Sequence, residues 1–483
     1  MSAVEPASGP GSSGGSGGED GLGLSPGWAQ VVIERALRRG GDFAEVFAES
    51  SSGVSLRLDD QRVEEVASGT DMGASVRIVR GGTTVFGYCE SLEPEAVLRL
   101  ADRLSEGLDG AAALGTPLHV LERPEFPPVG VEPGDVDVFE KAAILRALDE
   151  FSRAWSAEIV QVSASYSDHK QRIWVANSRG TYATEERTRV FGAVSVVAKR
   201  GDVIQTGRET LAHRGGYEFI TPESLRAMAQ TAADKAVVML DAGPAPAGRM
   251  PVVLANGFGG VLFHEACGHG LEADFIVKRT SVFAERLGRR VAEPHVTALD
   301  NGVGAGMWGS NAIDDEGTPT QSTVAISEGV LSSFLTDVLR GERLGQMPTG
   351  NSRRQGFRHL PYPRMTNTYF APGDASPDDL IADTRRALYA KSLSGGEVDP
   401  ATGDFVFGVS EGYLIEDGRV GPPVRGATLI GNGPEVLLGI DAIASDLVVK
   451  AGMCGKEGQL VPVGTGQPTL RIRELTVGGT AVS

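Results

Sequence analysis

Two histidines with a glutamate beside the first are the residues of this chain whose types and spacing best suit chemistry. They stand in Asn256-Gly-Phe-Gly-Gly-Val-Leu-Phe-His264-Glu265-Ala-Cys267-Gly-His269-Gly270, behind a strand-like run at Pro251–Ala255. Only seven histidines occur in 483 residues, and a chance H-E-x-x-x-H would arise in about one such chain in a hundred. Imidazole nitrogens bind zinc. Zinc lowers the pKa of bound water to about 7 and polarises a carbonyl oxygen. Glu265, next to a ligand without being one, would take the proton from water and pass it to a leaving amine. The chemistry indicated is metal-assisted peptide hydrolysis.

The spacing sets a geometric condition. The zinc-peptidase pattern H-E-x-x-H holds its histidines four apart on one helical face, whereas here they stand five apart. At about 100° per residue, five positions turn the second ring roughly 140° from the first. For the rings to meet, one extra residue must be absorbed by a π-bulge or by unwinding at the helix end. Gly268 and Gly270 flank His269 and make that distortion cheap. The competing reading is a glycine-rich helix end whose histidines bond to backbone. Two imidazoles also leave zinc short, since a catalytic site takes three protein ligands and keeps one position open. Cys267, Glu272 and Asp274 nearby, and Asp314, Asp315 and Cys454 further off, qualify by type. Cys454 lies in Gly452-Met-Cys-Gly-Lys-Glu-Gly458, read as a loop whose glycines admit close approach to a metal. Spacing does not choose among these candidates.

The elements that must position these residues fall into two groups. Residues 1–24 are mostly Gly, Ser, Pro and acidic, too poor in apolar side chains to repay ordering, and read as a disordered tail. Ser25-Pro26 starts a helix that Gly40-Gly41 stops. Strand-like runs follow at Phe43–Glu49, Val54–Leu58, Val63–Val66, Ala74–Val79, Thr83–Tyr88, Ile159–Ser165, Arg172–Ala176 and Val190–Ala198. Helical patterns occupy Glu93–Leu108, Val138–Trp155 and Thr221–Leu240. Strands and helices out of strict alternation predict an α+β fold with an antiparallel sheet in the first domain, residues 25–242. Gly243-Pro-Ala-Pro-Ala-Gly248 marks a linker at 243–249. Residues 250–483 read as a β-rich second domain, with the helix carrying His264 packed on its sheet. Glu328-Gly329 and Asp417-Gly418 look like tight hairpin turns.

Bulk composition narrows the setting. A formal charge of −18 repels phosphate backbones. The densest basic stretch, Lys278-Arg279 to Arg289-Arg290, is interrupted and reads as a solvated face or site rim. Nucleic acid is therefore not an expected partner. No run of about 18 apolar residues occurs, so no spanning helix is expected. The start of the chain lacks a basic region and apolar core of a secretory signal. Three cysteines (Cys89, Cys267, Cys454) are too few for a disulfide framework, which makes a reducing, cytoplasmic location the expectation. Asp314-Asp315-Glu316 before Gly317 reads as a solvated turn. Arg353, Arg354, Arg358 and His359 read as a surface loop with salt bridges, and Cys89 and Cys267 as core.

Four blocks resemble the TldD/PmbA family of metallopeptidases, in particular its TldD branch. They are His264-Glu-Ala-Cys-Gly-His-Gly-Leu-Glu-Ala-Asp274, Ala312-Ile-Asp-Asp-Glu-Gly-Thr-Pro319, Pro361-Tyr-Pro-Arg-Met-Thr-Asn-Thr368, and Cys454-Gly-Lys-Glu-Gly-Gln with Pro462–Arg471. The resemblance spans residues 28–483 and is dense after about 250; residues 285–311 do not carry it. It implies zinc held by His264, His269 and Cys454, with Glu265 as the catalytic base. It also implies an N-terminal α/β domain and a C-terminal β-rich domain. A PmbA-type paralogue would complete a heterodimer enclosing the site, and small or unfolded peptides would be substrates. Two other readings compete: a non-catalytic scaffold subunit, and a metal-dependent amidase acting on a small molecule. A purely structural zinc site is closed by four ligands and has no use for Glu265, which favours the enzyme.

Overall fold

A computed structural model describes residues 24–480. Of the expected tail 1–24, only Leu24 lies among the described residues; it is buried, and its carbonyl accepts the Tyr182 hydroxyl.

The first helix, α1 (Pro26–Leu37), begins where the Ser25 side chain accepts from the Trp28 amide and Pro26 needs no donor. It buries Ala29, Val32, Ile33, Ala36 and Leu37, one face of a 3.6-residue period. Together with α2 (Pro94–Glu106) it packs on one end of a seven-stranded sheet. That sheet contains β1 (Phe43–Asp59), β2 (Arg62–Arg80), β3 (Thr83–Cys89), β4 (His119–Val120), β5 (Ile159–Asn177), β6 (Thr181–Arg200) and β7 (Val203–Arg214). The order is β3-β2-β1-β5-β6, with β7 and the short β4 both along β6; every pairing is antiparallel except β4 with β6. The expected α+β class and antiparallel sheet are found. The far end of the same face carries α3 (Val138–Arg153) and α4 (Pro222–Val238), which bury Leu56, Leu58, Val162, Tyr166 and Val194. Thr221 and Ser224 cap α4 reciprocally.

Sheet alternation sends the intervening residues to the opposite face. There Phe47, Ile173, Val175 and Ala183 cluster with Ile313 and Phe357 from the second half of the chain. Around them lies a buried ionic layer. Arg77 pairs with Glu45 at 2.9 Å and with Glu316; Arg187 pairs with Glu185 at 2.9 Å and Asp315 at 2.8 Å; Arg354 pairs with Glu45. The Glu185 carboxylate also accepts the Ala312 and Ile313 amides. Asp314, Asp315, Glu316, Arg353 and Arg354 are thus buried, not the solvated turn and surface loop their composition suggested. The charged partners of Asp315, Glu316 and Arg354 lie more than a hundred residues away in sequence, out of reach of any local pattern. Arg358 is nearer the surface, paired with Asp71 and Glu90.

Residues 243–249 cross between the halves. Gly243-Pro244 pairs in parallel with Val424-Arg425, and Gly248–Leu254 is already strand. Beyond this point strands 386–398, 248–254, 470–478, 428–432 and 404–416 pair in that order, and 386–398 also pairs with 404–416. The five close on one another as a ring. A separate six-stranded sheet runs 330–331, 322–327, 298–301, 367–370, 459–467, 448–456. Between ring and sheet lies a core of Leu262, Phe263, Ala266, Phe370, Leu388, Leu429 and Ile472 among others. The predicted hairpin turns form, with positive φ at Glu328-Gly329 (47° and 79°) and Asp417-Gly418 (48° and 75°).

Candidate metal centre

The segment with the two histidines is helical and buried between the ring and the six-stranded sheet. It runs through a 3₁₀ turn at Gly257–Gly260, an α turn at Val261–Phe263, a π turn at His264–Gly268 and a second 3₁₀ turn at His269–Leu271. The π turn absorbs the extra residue that the five-residue spacing demanded. As a result the His264 and His269 rings lie 5.1 Å apart and nearly perpendicular, at 82°. Glycines allow the seating. A Cβ on Gly260 would lie 2.4 Å from the Gly466 backbone, and one on Gly268 2.2 Å from the Met365 sulfur.

Cys454 arrives from the six-stranded sheet. It lies on strand Val448–Lys456, at the sheet's edge, and not in the loop its glycines suggested. The Cys454 Sγ is 3.4 Å from His269 Nε2. One ligand atom from each of His264, His269 and Cys454 lies within 4.8 Å of the others, and all three residues are buried. Tetrahedral zinc with usual bond lengths would hold nitrogen and sulfur about 3.6 Å apart, so the donor set fits such an ion. Two imidazoles and one thiol also leave a fourth position open. The other candidates do not join this group. Cys267 is in the apolar core, where burial pushes its thiol up. Asp315 belongs to the ionic layer between the halves, and the Asp314 carboxylate accepts the Glu316, Thr318 and Ser352 amides.

Each ring has protein at its Nδ1, which leaves Nε2 available to a metal. Thr368 Oγ1 lies 3.3 Å from His264 Nδ1, and Glu272 Oε2 lies 3.0 Å from His269 Nδ1. Burial works against charge on His269, but the Glu272 carboxylate and the Cys454 sulfur hold its pKa well above the usual imidazole range. Burial likewise works to raise the Cys454 thiol, yet the two imidazoles outweigh it and bring it down to about 4. The sulfur is thus readied as a thiolate, the form that binds metal. Glu265 has its side chain about a quarter exposed, with Oε2 3.7 Å from His269 Nε2. It lies beside that ring nitrogen and reaches solvent as well.

Behind these three donors Lys456 Nζ donates to Glu272 Oε2 (2.8 Å), Asp274 Oδ1 (2.7 Å) and the Pro363 carbonyl (3.0 Å). Arg364 Nη2 donates to the Cys454 carbonyl at 2.6 Å. Sequence reading missed Thr368, Lys456 and Arg364 and weighed Glu272 and Asp274 only as ligands. The signal present was Glu272 three residues after His269, an orienting distance on a helical segment.

Family models cover most of the chain. That for the PmbA/TldA metallopeptidase C-terminal domain matches residues 247–479, that for the central domain 131–240, and that for domain 1 44–108. The metalloprotease TldD homolog of Haemophilus influenzae is 38% identical over 463 residues, 93% of this chain and 95% of that protein. The chain belongs to the TldD/PmbA metallopeptidase family. It is accordingly a metallopeptidase, a hydrolase that works with a metal. A second family member, the zinc metalloprotease TldD homolog of Saccharolobus solfataricus, is 33% identical over 310 residues, 62% of this chain and 68% of that protein. The crystal structure of TldE from Thermococcus kodakarensis shares the TldD/PmbA fold seen here, with a TM-score of 0.76 at 18% identity over 91% of this chain and 97% of that one. No helix among the described residues is long and apolar enough to cross a membrane.

Proposed function

We propose that this family member is a zinc-dependent peptidase in which His264, His269 and Cys454 hold the ion and Glu265 is the general base. The observation that carries the reading is the approach of three buried donors, nitrogen, nitrogen and sulfur, within 4.8 Å of one another. The name of the Saccharolobus relative, a zinc metalloprotease, supports the choice of metal. When bound, zinc would lower the pKa of water and polarise the peptide carbonyl. Glu265 takes a proton from the attacking water and delivers it to the leaving amine. Thr368 and Glu272, each at the Nδ1 of one ring, would hold the two rings in place and leave Nε2 for the ion. The burial of the ligands keeps bulk water from competing for them.

Small or unfolded peptides are the proposed substrates, in a cytoplasmic setting consistent with three unpaired cysteines. The proposed partner is a PmbA-type paralogue that covers the site as the second subunit of a heterodimer. Two features support a covering partner. Met453 and Leu460, each 52% exposed, project from the hairpin that carries Cys454, and a TldE chain has the same fold. The same reading keeps two domains, 25–242 and 250–483, joined through 243–249, in line with their separate sheets.

The test is metal content by mass spectrometry on wild type, Glu265→Ala and Cys454→Ala, with cleavage of an unstructured peptide followed beside the PmbA-type partner. About one zinc per chain, kept in Glu265→Ala and lost in Cys454→Ala, with cleavage lost in both, is the expected result. A gently purified wild type without zinc would sink the mechanism and leave a scaffold subunit. Turnover of a small amide with no peptide cleaved would favour the amidase.

A further inference from the structure

The three ligands come from two elements that share no backbone pairing, so something must fix the gap between them. His264 and His269 belong to the helical segment, and Cys454 to the edge strand Val448–Lys456. Residues two apart on a strand face the same side, so Lys456 projects from the face that carries Cys454. Its ammonium reaches back to the helical segment, where it meets Glu272 Oε2 at 2.8 Å and Asp274 Oδ1 at 2.7 Å. The same Glu272 oxygen lies 3.0 Å from His269 Nδ1. The circuit closes through the 3.4 Å approach of His269 Nε2 to Cys454 Sγ. Every member is buried: Cys454 4% exposed, Lys456 9%, Glu272 0%, Asp274 1%, His269 8%. Phe275, 4.5 Å from the ammonium, covers it with a ring face.

We propose that Lys456 is a positioning residue that sets the distance between the thiolate and the imidazoles by clamping the Cys454 strand to the Glu272–Asp274 turn. The inference rests on the ligand set proposed above and adds a residue to it. A clamp of this kind differs from an ordinary buried ion pair because one carboxylate oxygen serves both the ammonium and a ligand ring. Loss of the ammonium therefore frees the strand and the ring together. Arg364, on the Cys454 carbonyl, holds the strand from another side but touches neither histidine in the hydrogen bonds described.

The experiment uses the full chain stripped of metal, with zinc alone and cobalt(II) alone as probes. Zinc affinity is measured by competition with a chromophoric chelator, and the sulfur–cobalt contact by its thiolate-to-metal charge-transfer absorption. In Lys456→Met, zinc binding should weaken about 10–100-fold, the range seen when groups orienting a ligand are removed. The charge-transfer band should fall while cobalt still binds. Should Lys456→Met fail to fold, Lys456→Met with Asp274→Asn keeps the net charge of the cage and leaves Glu272 on His269, and the same losses are expected of it. A folded variant with wild-type zinc affinity and an undiminished band overturns the clamp while leaving the ligand set intact. A wild type that takes up cobalt without any such band overturns the ligand set, and the clamp with it.

Discussion

Glu272 Oε2 serves two partners, and its charge has a price in acid. Burial alone would raise this carboxyl, but Lys456 and His269 bring it from 4.5 down to about 2. A carboxylate with a depressed folded pKa stabilises the fold above its unfolded pKa and loses that contribution as pH falls through the folded value. The window is therefore pH 4.5 to 2, and the contribution at stake is about 3 kcal/mol. Metal-free wild type should lose stability more steeply across that window than Glu272→Gln, as read from denaturant titrations at a series of pH values. Equal slopes would count against the assignment. At the other ring, Thr368→Val removes the hydroxyl beside His264 Nδ1 and should weaken zinc about tenfold with little change in melting temperature. His264, Glu265 and His269 stood out as candidates because a rare residue type repeats at short spacing. Thr368 did not, and Glu272 did so only as a candidate ligand, since common residues gain their meaning only once the chain brings them to a ring nitrogen.

Helical turns of three kinds in succession hold the histidines, and their seating depends on backbone-to-backbone approach. Gly260→Ala would drive a methyl to within 2.4 Å of the Gly466 backbone. Backbone cannot step aside as a side chain can, so the helical segment must lift from the sheet. We expect a loss of about 1–3 kcal/mol in folding stability together with weaker zinc binding, checked by thermal melts and chelator competition. An alanine variant at Gly69, where no atom lies within 4 Å of the added carbon, is the control. Helices α1 to α4 were readable from Ser25-Pro26, Thr221-Pro222 and their apolar periods, and the two hairpin turns from their glycines. Strand lengths were not. Strand β1 reads as two runs because residues 50–55 are only half-covered, and in β2 residues 64–72 are exposed on both faces, so alternation disappears. Strand β7 went unread for the same reason, since most of it is only partly buried.

The two halves meet through buried charges. Asp315 accepts from Arg187 and from the Arg354 amide, and is 3% exposed. Asp315→Ala would leave Arg187 buried with one carboxylate partner fewer, a change that costs about 3–5 kcal/mol in comparable sites. The measurement is equilibrium unfolding with one probe in each half. Wild type should give coincident transitions, and the variant should separate them. Salt up to about 0.5 M should move the wild-type midpoint little, because pairs this deep are weakly screened. None of this layer was legible in Asp314-Asp315-Glu316, where acidic residues before a glycine fit a wet turn equally well. The ring of five strands has a further consequence, one of timing. Strand Leu470–Gly478 lies between Gly248–Leu254 and Thr428–Asn432, so the ring stays open until the chain has been made as far as Gly478. Cys454 likewise follows His269 by 185 positions. A nascent chain therefore carries its two histidines through 185 further residues of synthesis before Cys454 exists to meet them, so the three donors come together late in the making of this fold.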